Sequence, residues 1–377
     1  MTLVASFSID NHPILLGDLM LSRPRKDGVD YKSFTTPLHV DPNREVLGKQ
    51  SDIVSGLSQK VNVLTPRLAV AWAGSERQAR LALPRLRDDV ADAGYTISSV
   101  EQSLAGLSKL HDDLYLTGIM TLAAHGPDIP MASFSWPNEK GKRFCSHIYG
   151  NVHVGGSGAK DFAQLVEMRE GLEMKSDGQL NSHTKAIAEA LAMAARLSGD
   201  QMRCGSGLQD FYGGGFEIAT LIGETITKVG EIAYHLWEAG PTNGGQIRIT
   251  PYAVQRYSYD ADLLHIRNVQ LVRAPTPYID ETYVLSPVHD PMTVAEKDKF
   301  VEDFTQLPLD SLDSKIEVIY LYIPLSNRTD VLMHYRGNAG EPSVRYREFE
   351  GGCDFVLSQK LRQRVDAAVQ RAVAETP

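Results

Sequence analysis

The stretch that decides the fold is TLVASFSIDNHPILLGD, residues 2–18. Leu3, Ala5, Phe7 and Ile9 alternate with Val4, Ser6 and Ser8, the period-two pattern of a half-buried strand. Asp10-Asn11-His12-Pro13 is a turn signal, and Ile14 to Leu21 reads as the returning strand of a hairpin. Thr2 stands at the head of this hairpin. If Met1 is removed, Thr2 carries a hydroxyl that can attack a carbonyl and an α-amine that can take the proton. The unperturbed pKa of that amine is about 7.7–8.0. This is the threonine form of the nucleophile-plus-base arrangement. Position 2 by itself is weak ground, because a small residue after the initiator methionine is common.

Outward from the hairpin, Ser22 to Gly56 is polar and rich in Pro, Gly and Asp, an extended loop by its composition. Lys60 to Leu64 and Arg67 to Ala73 form an apolar pair joined through Thr65-Pro66, ending at Gly74. Ser75 followed by Gln78 signals a helix start. Ala79, Leu83, Leu86, Val90 and Ala93 then recur at helical spacing across Pro84, and Val100, Leu104, Leu107 and His111 mark a second helix. Strands are expected at Leu114–Ala123, Met131–Trp136 and Arg143–Val154, and helices at Ala159–Met168 and His183–Leu197. Two more strands follow at Phe216–Ile222 and Thr225–Tyr234. Blocks of strands and helices segregated in this way point to an α+β layered fold. The Gly- and Pro-containing stretch 239–245 marks a boundary between a first domain, 1–240, and a C-terminal region, 241–377. That region carries strand-like runs at Ile247–Tyr257, Leu263–Val272 and Ile316–Ile323, then a terminal amphipathic helix with Leu357, Leu361, Val365, Val369 and Ala372.

Composition excludes several function classes. Thirty-eight basic against 47 acidic residues leave a formal charge of −9, a poor match to a nucleic-acid backbone. The basic cluster Arg23, Arg25, Lys26 is short. Three scattered cysteines argue against a disulfide framework and for a reducing compartment. No CxxC, HExxH or GxxxxGK[ST] motif occurs, so neither a metal nor a nucleotide cofactor is expected. The first residues lack the pattern of a signal peptide, and no apolar run approaches the ~18 residues of a membrane span. A cytoplasmic protein without membrane partners is the expectation, and the sequon Asn327-Arg328-Thr329 then carries no meaning.

The order of landmarks resembles the proteasome β-subunit family and its bacterial relatives over roughly residues 2–238. The family's nucleophilic threonine matches Thr2, and its second strand ends in the position of Leu15-Leu16-Gly17-Asp18. Its lysine before a valine matches Lys60-Val61, and its strand ending in Ala-Gly matches Trp72-Ala73-Gly74. Its Gly-Ser-Gly before a helix matches Gly156-Ser157-Gly158, and its late Asp-x-Tyr segment matches Asp210-Phe211-Tyr212-Gly213-Gly214-Gly215. The resemblance implies a four-layer αββα sandwich with an additional C-terminal β-rich region ending in a helix. It implies a hydrolase of peptide or amide bonds that works without a cofactor. Lys60 would ease formation of the Thr2 alkoxide, Asp18 would hold Lys60, the Gly74 N–H would face the oxyanion, and Ser157 and Asp210 would hold the Thr2 amine. It also implies a ring-like homo-oligomer and an ATP-driven unfoldase partner.

Each residue has an ordinary alternative. Asp18 and Lys60 could be a surface ion pair, Gly74 a turn glycine, Ser157 a helix cap and Asp210 a loop Asp-turn. Trp72 stands where the family floors its specificity pocket, leaving room for a small side chain or none, and is equally readable as a core residue. Gly213 stands where the family usually has a serine near the nucleophile, so one hydrogen bond to the Thr2 amine is missing or is replaced by water. The loop between Asp18 and Lys60 is longer than the family's, and the residues beyond Gly245 have no counterpart there. Gly155-Gly156-Ser157-Gly158-Ala159 is a near miss to the GxSxG elbow of serine hydrolases. A catalytically inactive assembly protein of the same build is the main alternative to the enzyme.

Overall fold

The computed structural model describes residues 2–26, 36–37, 52–107, 113–122, 130–137, 139–170, 182–205, 207–208, 210–270, 279–293, 296, 301, 312, 314–336, 341–349 and 352–375. The N-terminal hairpin forms, but β1 is buried on both faces and not half-buried, because Val4 faces the second sheet while Ala5 and Phe7 face the helical side. Strands β1 (Val4–Ile9) and β2 (His12–Asp18) pair antiparallel with Val4 opposite Gly17, turning through Asp10 and Asn11 at positive φ. They sit at the centre of a six-stranded antiparallel sheet. On one side lie β10 (Gly150–Gly155) and β9 (Lys142–Ser146), on the other β11 (Phe216–Ile222) and β12 (Thr225–Lys228).

A second antiparallel sheet contains β5 (Val61–Thr65), β6 (Leu68–Gly74), β7 (Leu114–Thr121) and β8 (Met131–Trp136). Val4 and Leu15 of the first sheet pack against Val61, Ala69 and Ala71 of the second in one buried cluster. Helices α1 (Glu76–Ala93) and α2 (Ile97–Leu107) cover the outer face of this sheet through Leu83, Leu86, Val90 and Leu104. Ser75 caps α1 by accepting from the Gln78 N–H, and Pro84 lies inside the helix. His111, assigned to the second helix from its spacing, lies outside the described residues, as does most of the loop expected between Ser22 and Gly56. The ends of that loop are not loop. Strands β3 (Met20–Pro24) and β4 (Asp52–Leu57) pair antiparallel.

The expected four-layer αββα sandwich is not the class of this protein. The chain is mostly β, 47% strand against 29% helix, and builds several antiparallel sheets with five helices among the described residues. The difference comes from the third sheet. Strands β13 (Ile232–Pro241), β14 (Ile247–Asp260), β15 (Leu263–Gln270), β16 (Ile279–Leu285), β17 (Ile316–Ile323) and β18 (Arg328–Tyr335) form a six-stranded sheet, antiparallel apart from the β13–β17 pair. Strands β19 (Val344–Phe349) and β20 (Gly352–Leu357) make a further pair. The boundary after residue 240 therefore falls at the end of β13, whose partner β14 lies beyond it.

Helix α3 is Ala159–Glu170, and α4 is Ser182–Cys204. The residues of α4 explain how the third sheet attaches. Ala186, Ala190, Leu191, Ala194 and Ala195 are buried in one cluster with Leu16 and Ile218 of the first sheet and Tyr234, Tyr257 and Val318 of the third. Small residues let both sheets approach one helix, which is why α4 is buried nearly all round. The C-terminal helix α5 (Gln359–Ala374) closes a separate cluster through Leu361, Val365 and Val369 against Trp237, Ile319 and Leu321.

His235 on β13 is fully enclosed, its Nδ1 2.6 Å from the Tyr346 hydroxyl and its ring stacked on that tyrosine. Burial pushes its pKa down to about 3. The unfolded chain takes up the proton first, so the contribution of His235 to stability is complete above the unfolded value near 6.5 and is lost as pH falls towards 3. Between pH 6.5 and 4.5 the loss should be about 2–3 kcal/mol, read as a fall in the urea midpoint. In His235→Gln that part of the acid sensitivity should be missing.

Candidate functional site

The first two strands bring Thr2 and Asp18 together. Thr2 precedes β1 and Asp18 ends β2, so antiparallel pairing sets the two ends side by side. The Asp18 N–H donates to the Leu3 carbonyl at 2.9 Å, and the Leu3 N–H donates to Asp18 Oδ1 at 3.1 Å. Lys60 arrives from the facing sheet, at the entry to β5. Its Nζ donates to Thr2 Oγ1 at 2.9 Å and to the Met20 carbonyl at 2.9 Å, and lies 3.9 Å from Asp18 Oδ1. The Thr2 hydroxyl in turn donates to Asp18 Oδ1. Thr2, Asp18 and Lys60 are all buried, with Lys60 1% exposed. A solvated surface ion pair is therefore excluded.

The electrostatics follow from that burial. Desolvation pushes the Asp18 carboxyl up, against the opposing pull of Lys60, the Thr2 hydroxyl and the Gly213 and Leu3 N–H groups. Desolvation likewise pushes Lys60 down, while Asp18, Glu76 and Glu217 hold it up. Burial outweighs pairing on both sides. The Lys60 proton is held less tightly than on a surface lysine, beside the Thr2 hydroxyl.

The other expected residues divide. Trp72 on β6 is fully buried. Its indole N–H donates to the Gln59 carbonyl at 3.1 Å, and the Lys60 ammonium stands 4.6 Å from its ring centre. Ser157 lies on the turn between β10 and α3, where its hydroxyl donates to the Thr2 carbonyl at 3.4 Å and to the Asp210 carbonyl. Ser157 and Asp210 thus meet through the Asp210 backbone, not its carboxylate, and of the two it is Ser157 that reaches Thr2, at its carbonyl and not its nitrogen. Both described partners of Ser157 are acceptors, and neither is a base of the kind a serine nucleophile needs. Gly74 ends β6, exposed and at φ +100°, in the turn where the Ser75 N–H donates to the Asp113 carbonyl at 2.9 Å. It belongs to no hydrogen bond of the Thr2 cluster.

Gly213 has a role through its backbone. Its N–H donates to Asp18 Oδ2 at 2.8 Å, and its carbonyl accepts from Leu19 and Met20 at 3.1 and 3.0 Å. At φ +116°, with Gln201 Oε1 where a Cβ would stand, no side chain fits. This hydrogen bond serves the Asp18 carboxylate and is not the one to the Thr2 amine that a serine here would give. Gly156 has a matching constraint. At φ +89° a Cβ there would collide with the Thr2 carbonyl oxygen. Gly156→Ala should cost about 2–3 kcal/mol in strain and displacement, visible as a lowered urea midpoint, and should lower any activity at Thr2 with it.

The sequence pattern missed a second buried polar group. Glu217 on β11 accepts from the backbone N–H groups of Lys60 and Val61 at 2.9 and 3.3 Å, from Lys228 Nζ at 2.9 Å and from the Tyr259 hydroxyl at 3.2 Å. A lone carboxylate inside the apolar strand FEIATLI was the available signal, since a buried charge must be paired. Asn62 was missed as well, and its Nδ2 donates to the Lys60 carbonyl at 3.1 Å. Among the described residues no group of three or more His, Cys, Asp or Glu is placed to hold a metal, and no helix is long and apolar enough to cross a membrane. Compared with known proteins, the chain matches no family model and no curated relative.

Proposed function

We propose that this chain is a threonine-type N-terminal-nucleophile hydrolase of the proteasome-like kind. It cleaves peptide or amide bonds with Thr2 once Met1 is removed. The observation that carries the reading is one hydroxyl, Thr2 Oγ1, bonded at once to a buried lysine and a buried carboxylate. Oγ1 attacks the substrate carbonyl and its proton passes to the Thr2 α-amine. Lys60 donates towards the same oxygen, so charge building there is met by a cation held in place by Asp18 and the Met20 carbonyl. The leaving amine takes the proton from the α-amine as the C–N bond breaks, which leaves an ester on Thr2. Water then attacks that ester, giving up a proton to the α-amine, and the free acid and Thr2 hydroxyl are restored.

The test is covalent trapping. A peptide β-lactone should add its own mass to the intact chain, and fragmentation should place it on Thr2. A non-catalytic assembly protein is the second reading, favoured by the complete burial of Thr2. Quantitative retention of Met1 together with no adduct would select it. The family resemblance adds a ring-like homo-oligomer and an ATP-driven unfoldase to the proposal, and native mass tests the first. Acidic charge and the free, exposed Cys145 and Cys204 support a reducing, cytoplasmic setting.

A further inference from the structure

The C-terminal region reaches the side of the site where Lys60 and Trp72 lie. After β16 the chain passes through Ser286, Pro287, Val288, His289, Asp290 and Pro291. The Val288 N–H donates to Asn62 Oδ1 at 3.1 Å, and His289 Nδ1 lies 3.1 Å from the same oxygen. Asn62 Nδ2 donates to the Lys60 carbonyl, which also accepts from the Trp72 N–H at 3.2 Å. Just upstream, Gln59 donates to the Leu285 carbonyl and to the Asp262 carbonyl, so the residue before Lys60 is also tied to the third sheet. Val288 is 2% exposed and buries its side chain in the same cluster as Trp72, Ala79 and Leu83.

This segment closes a cavity. Its far wall is made by Ser58, two residues before Lys60, and by Glu76 and Arg80 on the first turns of α1, directly after Gly74. Its near wall is Pro287, Val288 and Pro291. The cavity is partly open, and its volume is about 30 Å³, the size of a methyl group or a single water. Glu76 on this wall is one of the charges, after Asp18, that oppose the lowering of the Lys60 pKa by burial.

We infer that the segment around Val288 is the specificity-determining wall of the site, and that it restricts the acyl-side residue of the substrate to glycine or alanine. The inference rests on the threonine-nucleophile reading and deepens it. Trp72 lies behind the cavity in the core cluster it shares with Val288, and Val288 lines the cavity, so the choice of substrate is made by a residue from the C-terminal third of the chain. The cavity carries Ser58, Glu76, Arg80 and Ser286 beside its apolar residues, and a methylene that does not fit a pocket costs about 10- to 200-fold in discrimination.

The test uses the full chain after Met1 removal and peptide amides with a fluorogenic leaving group that carry Gly, Ala, Leu or Phe at the acyl position. Ala should exceed Leu in kcat/KM by about tenfold or more. Val288→Ala should narrow that ratio by about tenfold, mainly by raising the Leu rate. If Val288→Ala does not fold, Arg80→Ala opens the same cavity from its rim, where the side chain is 48% exposed. Equal wild-type rates on Ala and Leu, or an unchanged ratio in a folded variant of either position, overturn the assignment of the wall. No turnover on any amide, with Thr2 unmodified by the β-lactone, overturns the hydrolase reading beneath it.

Discussion

Thr2→Ala is expected to lower amide hydrolysis by at least ~10³-fold, because it removes the attacking atom and leaves only binding and electrostatics. The same change deletes a hydroxyl that donates to Asp18 and accepts from Lys60. Two buried polar groups then lose a partner, which should cost about 1–3 kcal/mol in the urea midpoint. Thr2→Ser keeps the hydroxyl and should retain most of the activity. The pair of variants separates chemistry from folding: a fluorogenic peptide amide reads the first and urea unfolding the second. Activity that survives Thr2→Ala moves the nucleophile elsewhere. Ser157 is then next, although its hydroxyl faces two carbonyl oxygens.

The second large effect is at Lys60. Lys60→Met should abolish measurable hydrolysis and also cost about 3–5 kcal/mol of stability, because it leaves the Asp18 carboxylate buried without its cation. Adding Asp18→Asn should recover part of that loss. A double variant more stable than the sum of the singles reports a coupled buried pair. A loss below about 1 kcal/mol, the range of exposed pairs, would contradict the burial described for this pair. The pH dependence has a definite sign. The folded pKa of Lys60 is depressed, so the unfolded state binds the proton more tightly and stability should rise with pH up to the unfolded value of 10.5. The folded pKa of Asp18 is raised, so its contribution is complete below 3.8 and declines as pH rises through the folded value. The two titrate as one unit. Lys60→Met should remove the alkaline rise.

Legibility in the sequence depended on how local the deciding interactions were. The hairpin of β1 and β2, the capped start of α1 and the amphipathic α5 were readable because period and cap residues act over a few positions. Strands β3 and β4 were not, because Ser22–Gly56 is polar and what aligns the pair is the burial of Met20 and Val54 against Leu208 and Phe211, more than a hundred residues away in the chain. The third sheet was seen only in fragments. Its weight in the fold depends on packing against α4, which a strand pattern does not record.

For the site, the sequence by itself determined the chemistry at hand: a threonine at position 2, an aspartate at the end of the returning strand, a lysine before an apolar run, and a tryptophan ahead of Gly74. Side-chain type is a local property. Only the tertiary structure decided that Thr2, Asp18 and Lys60 meet, that all three are dry, and that Ser157 touches the Thr2 carbonyl and the Asp210 carbonyl, not the Thr2 nitrogen. It also decided the use of Gly213 as a backbone donor and of Val288 as a wall, since both depend on segments far apart in the chain closing on one another. Burial and mutual distance come from how the sheets pack, and they turn a set of reactive residue types into a site.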